Sequence, residues 1–222
     1  MSHEHRHTGN RHVRDREYLE SIHPDIGPVL QSVEAEANED DQPITERTST
    51  RLLSMLVRLG AARHALEIGT NIGYSAIAIA SALQDGGRLT TLDYNPSLQA
   101  RAWQNAMRAG VSDRIEMVPG PALDTLTLIE GPFDFAYIDA DKESYPQYLD
   151  AVLDRLRPGG VVAIDNLLWL GHAAHDPKDG QPARESTSTI RAFNRAFLAD
   201  ARIESTILQI GDGVGVGIKR HN

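Results

Sequence analysis

Apolar positions along the chain switch repeatedly between a spacing of three to four residues and short continuous runs. That pattern predicts alternating helices and strands. Residues 28–40 carry a helical pattern opened by Pro28 and closed before Pro43. Residues 45–59 form a second helix, with Leu52, Leu53, Leu56, Val57 and Leu59 on its apolar side and Gly60 at its end. A strand at 64–68 leads through a turn into a small-residue helix at 74–83. Asp85-Gly86-Gly87 turns the chain into a strand at 88–92 that ends at Asp93. Asn95-Pro96 is a helix start and Gly110 a stop. A strand at 115–118, a helix at 124–129 and a strand at 133–138 ending at Asp139 follow. The next helix, 145–156, is terminated by Pro158-Gly159-Gly160, and residues 161–164 are a continuous, β-branched strand of the buried parallel kind. Residues 171–185 read as a polar loop and 188–198 as a helix. Two closing strands, 203–210 and 214–219, are joined across Gly211-Asp212-Gly213.

Strand–helix alternation of this kind predicts an α/β fold with a doubly wound, mostly parallel sheet, to which the closing hairpin adds an antiparallel strand. No internal repeat or second domain is visible. Residues 1–17 read as a flexible tail containing His3, His5, His7 and His12, and residues 18–222 as one domain. The four histidines lack the spacing and the orienting carboxylate of a built metal site.

Composition narrows the function. The 222 residues carry a net charge of −9, which counts against a dedicated nucleic-acid binder. The absence of cysteine excludes disulfides, zinc–thiolate sites and cysteine nucleophiles. No apolar run reaches membrane-spanning length and no signal-peptide pattern is present, so a cytoplasmic location with no membrane partner is expected.

In open α/β sheets ligands bind at the carboxyl ends of the strands, and four clusters fall there. After the first strand stands Glu67-Ile68-Gly69-Thr70-Asn71-Ile72-Gly73-Tyr74-Ser75. Asn71 occupies the middle glycine position of a dinucleotide fingerprint, so the pyrophosphate cradle is absent. The spacing E-x-G-x-x-x-G instead resembles motif I of methyltransferases that use S-adenosylmethionine (SAM). Asp93 ends the second strand, where an acid either accepts from ribose hydroxyls or caps the following helix. Gly120-Pro121-Ala122-Leu123 follows the third strand. Asp139-Ala140-Asp141-Lys142 ends the fourth and Asp165-Asn166 the fifth. Two carboxylates and an amide oxygen at neighbouring strand ends form a hard site suited to Mg²⁺, Mn²⁺ or Ca²⁺, with helix capping as the plainer alternative.

Motif I, Asp139-Ala140-Asp141-Lys142, Tyr148, Asp165-Asn166 with Trp169, and Gly211-Asp212-Gly213 occur in the order found in cation-dependent O-methyltransferases. The chain from Thr45 onward is similar to this family of caffeoyl-CoA and catechol O-methyltransferases and their bacterial relatives. The resemblance implies a Rossmann-like class I methyltransferase fold of seven strands, with helices on both faces and an antiparallel last strand. It implies a SAM site, with S-adenosylhomocysteine (SAH) as product, lined by Thr45, Glu67, Gly69, Thr70, Gly73, Ser75, Asp93, Ala122, Asp139 and Tyr148. It further implies metal ligation by Asp139, Asp165 and Asn166, with Mg²⁺ first among the candidates, and a substrate side formed by Asp141 and Trp169. Lys142 matches the general base, with an ion pair to Asp139 or Asp141 as the other reading.

A small aromatic substrate with vicinal hydroxyls and a homodimeric assembly follow from the same resemblance. One departure is Leu170, which stands where the plant caffeoyl-CoA enzymes carry an Asn; this weakens the case for an acyl-CoA acceptor. Alternative readings are a methyltransferase for a hydroxylated tRNA base, drawing on Arg184, Arg191 and Arg195, a nicotinamide-dependent oxidoreductase, and a catalytically silent binding protein.

Overall fold

A computed structural model describes residues 17–175 and 185–221. The histidine tail, most of the polar loop and Arg184 lie outside the described residues.

Seven strands form one sheet. They are β1 (His64–Ile68), β2 (Arg88–Asp93), β3 (Ile115–Pro119), β4 (Phe133–Ile138), β5 (Leu156–Ile164), β6 (Ile203–Leu208) and β7 (Val214–Lys219), in the order β3-β2-β1-β4-β5-β7-β6. The first five positions in that order are parallel, and β7 runs antiparallel to both of its neighbours. Helices α1 (Pro28–Glu39), α2 (Arg47–Leu59), α3 (Tyr74–Ala82), α4 (Pro96–Arg108), α5 (Ala122–Leu126), α6 (Tyr145–Arg155) and α7 (Thr187–Ala199) cover it.

The two-residue period of the strands divides the core into two layers. Ala65, Phe135, Tyr137 and Ala163 face one side and pack with Leu53 and Val57 of α2 and Ile77 and Ile79 of α3. Leu66, Ala136, Ile138, Val162 and Ile164 face the other and pack with Leu149 and Val152 of α6 and Phe193 and Phe197 of α7. Because the chain progresses outward from β1 to β3 on one side and from β4 to β5 on the other, consecutive connections part company between β1 and β4. Their carboxyl ends open the crevice in which such sheets bind ligands.

Several boundaries differ from the sequence reading. Arg47, not Thr45, begins α2: Glu46 is extended, and Thr45 turns its hydroxyl toward Tyr137. Helix α5 starts two residues earlier than expected, at Ala122, because the Pro121 carbonyl accepts from the backbone N–H groups of Asp124 and Thr125. Pro158-Gly159-Gly160 does not separate helix from strand. Leu156 already pairs with Phe133, and Val161 pairs with Phe135, so the intervening residues bulge within one long β5. Leu156 is anchored by its burial in the core, leaving the bulge to take up the extra length. A short helical stretch at 17–22 precedes α1, and β6 ends at Leu208 rather than at residue 210.

Gly69 governs how closely the two halves approach. Its φ is +103°, and a Cβ there would sit 2.0 Å from the backbone oxygen of Asp139. Gly69→Ala is therefore expected to destabilise the protein by at least about 3 kcal/mol, combining backbone strain with overpacking against rigid backbone. Gly86→Ala, at φ +73° with nothing within 4 Å, is expected to lose only about 1 kcal/mol. Urea unfolding of the two variants checks the contrast, and equal losses would refute the assigned role of the Asp139 contact.

Candidate active site

A cleft of about 1130 Å³ opens at the carboxyl ends of the parallel strands. Its lining runs from Asp93 and Ala122 at the ends of β2 and β3, past Gly69, Thr70 and Ser75, to Asp139, Asp141, Lys142, Asp165, Asn166 and Trp169 at the ends of β4 and β5.

At the β1–β2 end, Asp93 organises the backbone. One carboxylate oxygen accepts from the N–H groups of Thr70 (3.0 Å) and Asn71 (2.8 Å), and the other from that of Asn95 (2.8 Å). Asp93 thus holds the turn after β1, while capping of α4 falls to Asn95, whose side chain accepts from Ser97 and Leu98. Asn71 adopts φ +45°, the left-handed conformation that a fingerprint glycine would take, and its amide donates to the Pro43 carbonyl at 2.7 Å. The segment carrying Thr45 is thereby tied to the turn.

Two residues expected at the cofactor site lie beneath the cleft and do not line it. Gly73 begins α3 at φ +88°, where a Cβ would meet that of Ala102 at 2.9 Å; its position serves helix packing. Glu67 is fully buried and accepts from Thr91 Oγ1 at 2.6 Å. Burial pushes its carboxyl up to about 8, against the opposing pull of the Ser75 and Thr91 hydroxyls.

The β4–β5 end gathers the other polar groups. Lys142 Nζ, almost buried, donates to Asp139 Oδ1 (3.0 Å), Asn166 Oδ1 (2.7 Å) and the Tyr145 hydroxyl (2.7 Å). These three contacts match the three donors of an ammonium and hold the Lys142 side chain in place. It is paired with Asp139 and has no such bond to Asp141. Asp141 instead accepts from the Tyr148 hydroxyl. Burial raises the Asp141 carboxyl, but hydrogen bonds from Ser144 and Tyr148 outweigh it and hold the group below its ordinary value.

Asp165 accepts from its neighbour's N–H (Asn166, 2.8 Å) and from the Tyr137 hydroxyl (2.7 Å). Its burial and the nearby Asp139 charge push its carboxyl above the ordinary value, against the hydrogen bonds from Tyr137 and Asn166. Asn166, at φ +60°, donates its amide N–H toward Asp212 Oδ2 (3.4 Å), which leaves its oxygen turned to Lys142.

The donors fit a hard divalent cation. The Lys142 ammonium already bridges oxygens of Asp139 and Asn166, so the arrangement accommodates positive charge. Among the described residues no three His, Cys, Asp or Glu side chains form a metal cluster; the candidate set consists of two carboxylates and an amide.

Near the loop, Trp169 Nε1 donates to the Glu185 carbonyl at 2.8 Å, joining the loop's two ends. Arg191 donates to the carbonyls of His172, Ala173 and His175, which makes it a buttress of that loop. Sequence reasoning missed Tyr137 and Tyr145, which read as ordinary core aromatics, and the role of Asp212, which was visible only as the middle of a turn.

A family model described as O-methyltransferase matches residues 29–220. The chain belongs to the O-methyltransferase family. It is 37% identical over 180 residues to a caffeoyl-CoA O-methyltransferase of Mesembryanthemum crystallinum, covering 77% of this chain and 70% of that one. It is 35% identical over 202 residues to catechol O-methyltransferase domain-containing protein 1 of Mus musculus, covering 86% and 74%. The structure of the O-methyltransferase TomG from Streptomyces achromogenes, involved in tomaymycin synthesis and solved with SAM, superimposes with a TM-score of 0.80 at 31% identity, covering 92% of this chain and 95% of TomG. Family membership sets aside the nicotinamide-dependent oxidoreductase. No helix among the described residues is long and apolar enough to cross a membrane.

The buried Glu67 makes stability depend on pH. Its folded value, near 8, lies above the ordinary 4.5, so its contribution is fully present below about pH 4.5 and is lost as pH rises toward 8. Glu67→Gln should remove that component. The difference in unfolding free energy between wild type and variant is expected to change by on the order of 4 kcal/mol across the window. Chemical denaturation at a series of pH values measures it, and parallel curves would show that Glu67 titrates normally.

Proposed function

We propose that this O-methyltransferase moves a methyl group from SAM to one hydroxyl of a small aromatic compound with vicinal hydroxyls, with a divalent cation held by Asp139, Asp165 and Asn166. The observation that carries the reading is the charge of the cleft. Among the described residues, Glu46, Asp93, Asp139, Asp141, Asp165 and Asp212 line it, and Lys142 is the basic one. A lining of that sign favours a cationic sulfonium and a metal ion, and repels the phosphates of an acyl-CoA or an RNA. Arg191, already engaged by loop carbonyls, does not offset it.

Transfer is a displacement at carbon. The acceptor oxygen bonds to the methyl carbon as the carbon–sulfur bond breaks, the electron pair leaves with sulfur, and the hydroxyl proton passes to a base and from it to water. The chain's principal task is alignment. Asp93, with its orientation set by three backbone N–H groups, keeps lone pairs that would accept from ribose hydroxyls of SAM. A divalent cation at Asp139, Asp165 and Asn166 would supply Lewis acidity that favours the ionised hydroxyl near neutral pH, with Mg²⁺ the first to test. Lys142 Nζ bonds to Asp139 and Asn166 and anchors those two side chains, and as the basic side chain in reach of them it is the candidate to take up the hydroxyl proton. Trp169 and Asp141 flank the acceptor side of the cleft.

Incubation of the protein with SAM and a simple catechol, with Mg²⁺ or with chelator, tests this reading by mass analysis of the product. Methylated catechol is expected only with metal. Asp165→Ala should reduce turnover at least about 100-fold while retaining SAH binding. Full activity in chelator would remove the metal from the mechanism. SAH binding without any product would redirect the search to a different acceptor.

A further inference from the structure

Tyr137 lies on β4 with its ring in the apolar layer shared with α2 and α3, and no part of the residue is exposed. Its hydroxyl is within 2.7 Å of Asp165 Oδ2 and 3.0 Å of Thr45 Oγ1. A phenylalanine would fill nearly the same volume without burying a polar atom, and burial of a hydroxyl is unfavourable unless it is bonded. Both bonds of this one go to residues that line the cleft.

The bonds have a direction. A tyrosine hydroxyl has one proton, and here it goes to the Asp165 carboxylate. Toward Thr45 the tyrosine oxygen therefore accepts, and the order is Thr45 to Tyr137 to Asp165. The other Asp165 oxygen is held by the Asn166 N–H, so the carboxylate is fixed at both ends while each oxygen keeps lone pairs for a ligand. Thr45 belongs to the segment that Asn71 ties to the turn after β1, and Asp165 lies at the far end of the cleft's floor.

We propose that Tyr137 is a positioning residue, whose buried hydroxyl orients the metal-binding carboxylate of Asp165 and links it to Thr45 at the cofactor side of the cleft. This inference rests on the metal reading given above. Polar groups that orient metal ligands from behind contribute measurably to metal affinity even though they never touch the ion.

Titration with Mn²⁺ alone, followed by loss of the free-ion electron paramagnetic resonance signal, tests it in wild type, Asp165→Ala, Tyr137→Phe and Thr45→Val. Wild type is expected to bind and Asp165→Ala to lose binding. Tyr137→Phe should weaken Mn²⁺ roughly 10- to 100-fold, with SAH affinity less affected. A purely structural tyrosine would lower the melting temperature and leave the metal affinity of the folded protein unchanged. Thr45→Val leaves the core ring in place and should weaken Mn²⁺ in the same direction by a smaller factor, a measurement that stands even where Tyr137→Phe folds poorly. Unchanged Mn²⁺ affinity in Tyr137→Phe, or in Thr45→Val where the former does not fold, overturns this inference alone. A wild type that takes up no Mn²⁺ overturns the metal reading and this inference with it.

Discussion

The architecture turns on the close contact between Gly69 and the backbone of Asp139. Two parallel strands, β1 and β4, lie side by side at the point where the chain's progress across the sheet reverses, and their ends must separate to admit a ligand. The separation begins immediately beyond Gly69, whose missing side chain lets the turn rest on the Asp139 carbonyl. The Asp139 side chain is then delivered to the centre of the cleft. Asp93 holds the other side of the same turn through the N–H groups of Thr70 and Asn71. A single glycine thereby sets the distance between the half of the cleft built on β2 and the half built on β5.

Electrostatics set what that cleft accepts. Among the described residues, six acidic side chains and one lysine line it. The lysine lies among Asp139, Asn166 and Tyr145 and neutralises part of their charge. Without it, Asp139 and Asp165 would lie close together with less to offset their mutual repulsion.

Beneath the floor, polar groups are buried where simple packing would use apolar ones. Glu67 and Thr91 form one such group, and the Tyr137 hydroxyl, bonded up to Asp165 of the lining, is another. Each lies directly under residues of the cleft. In a dry interior a hydrogen bond of this kind is directional, and the penalty for breaking it is large. Rigidity of the cleft carboxylates follows from that, and alignment of a methyl donor with its acceptor needs rigidity more than it needs reactive groups.

Most of the fold was legible in the chain because it is written in local terms. The short apolar runs of β1, β4 and β5, the Asn95-Pro96 start of α4 and the turn glycines depend on neighbouring residues and on burial, and all appear in the structure. Acidic residues at successive strand ends were legible for the same reason, since parallel neighbours must bring those ends together. The remainder depended on contacts between distant segments. Pro158-Gly159-Gly160 carries a terminator's composition, yet pairing of Leu156 with Phe133 keeps it inside β5. Tyr137 reads as a core aromatic, and only the approach of Thr45, 92 residues away in sequence, and of Asp165 gives its hydroxyl partners. Glu67 and Gly73 belong to the motif that marks the cofactor site but lie below its surface, because the turn exposes one side of the motif and buries the other. Sequence by itself determined which elements form and which chemistry gathers at their ends. Tertiary structure decided which of those groups face the cleft and which partners each one bonds, because those partners come from distant segments.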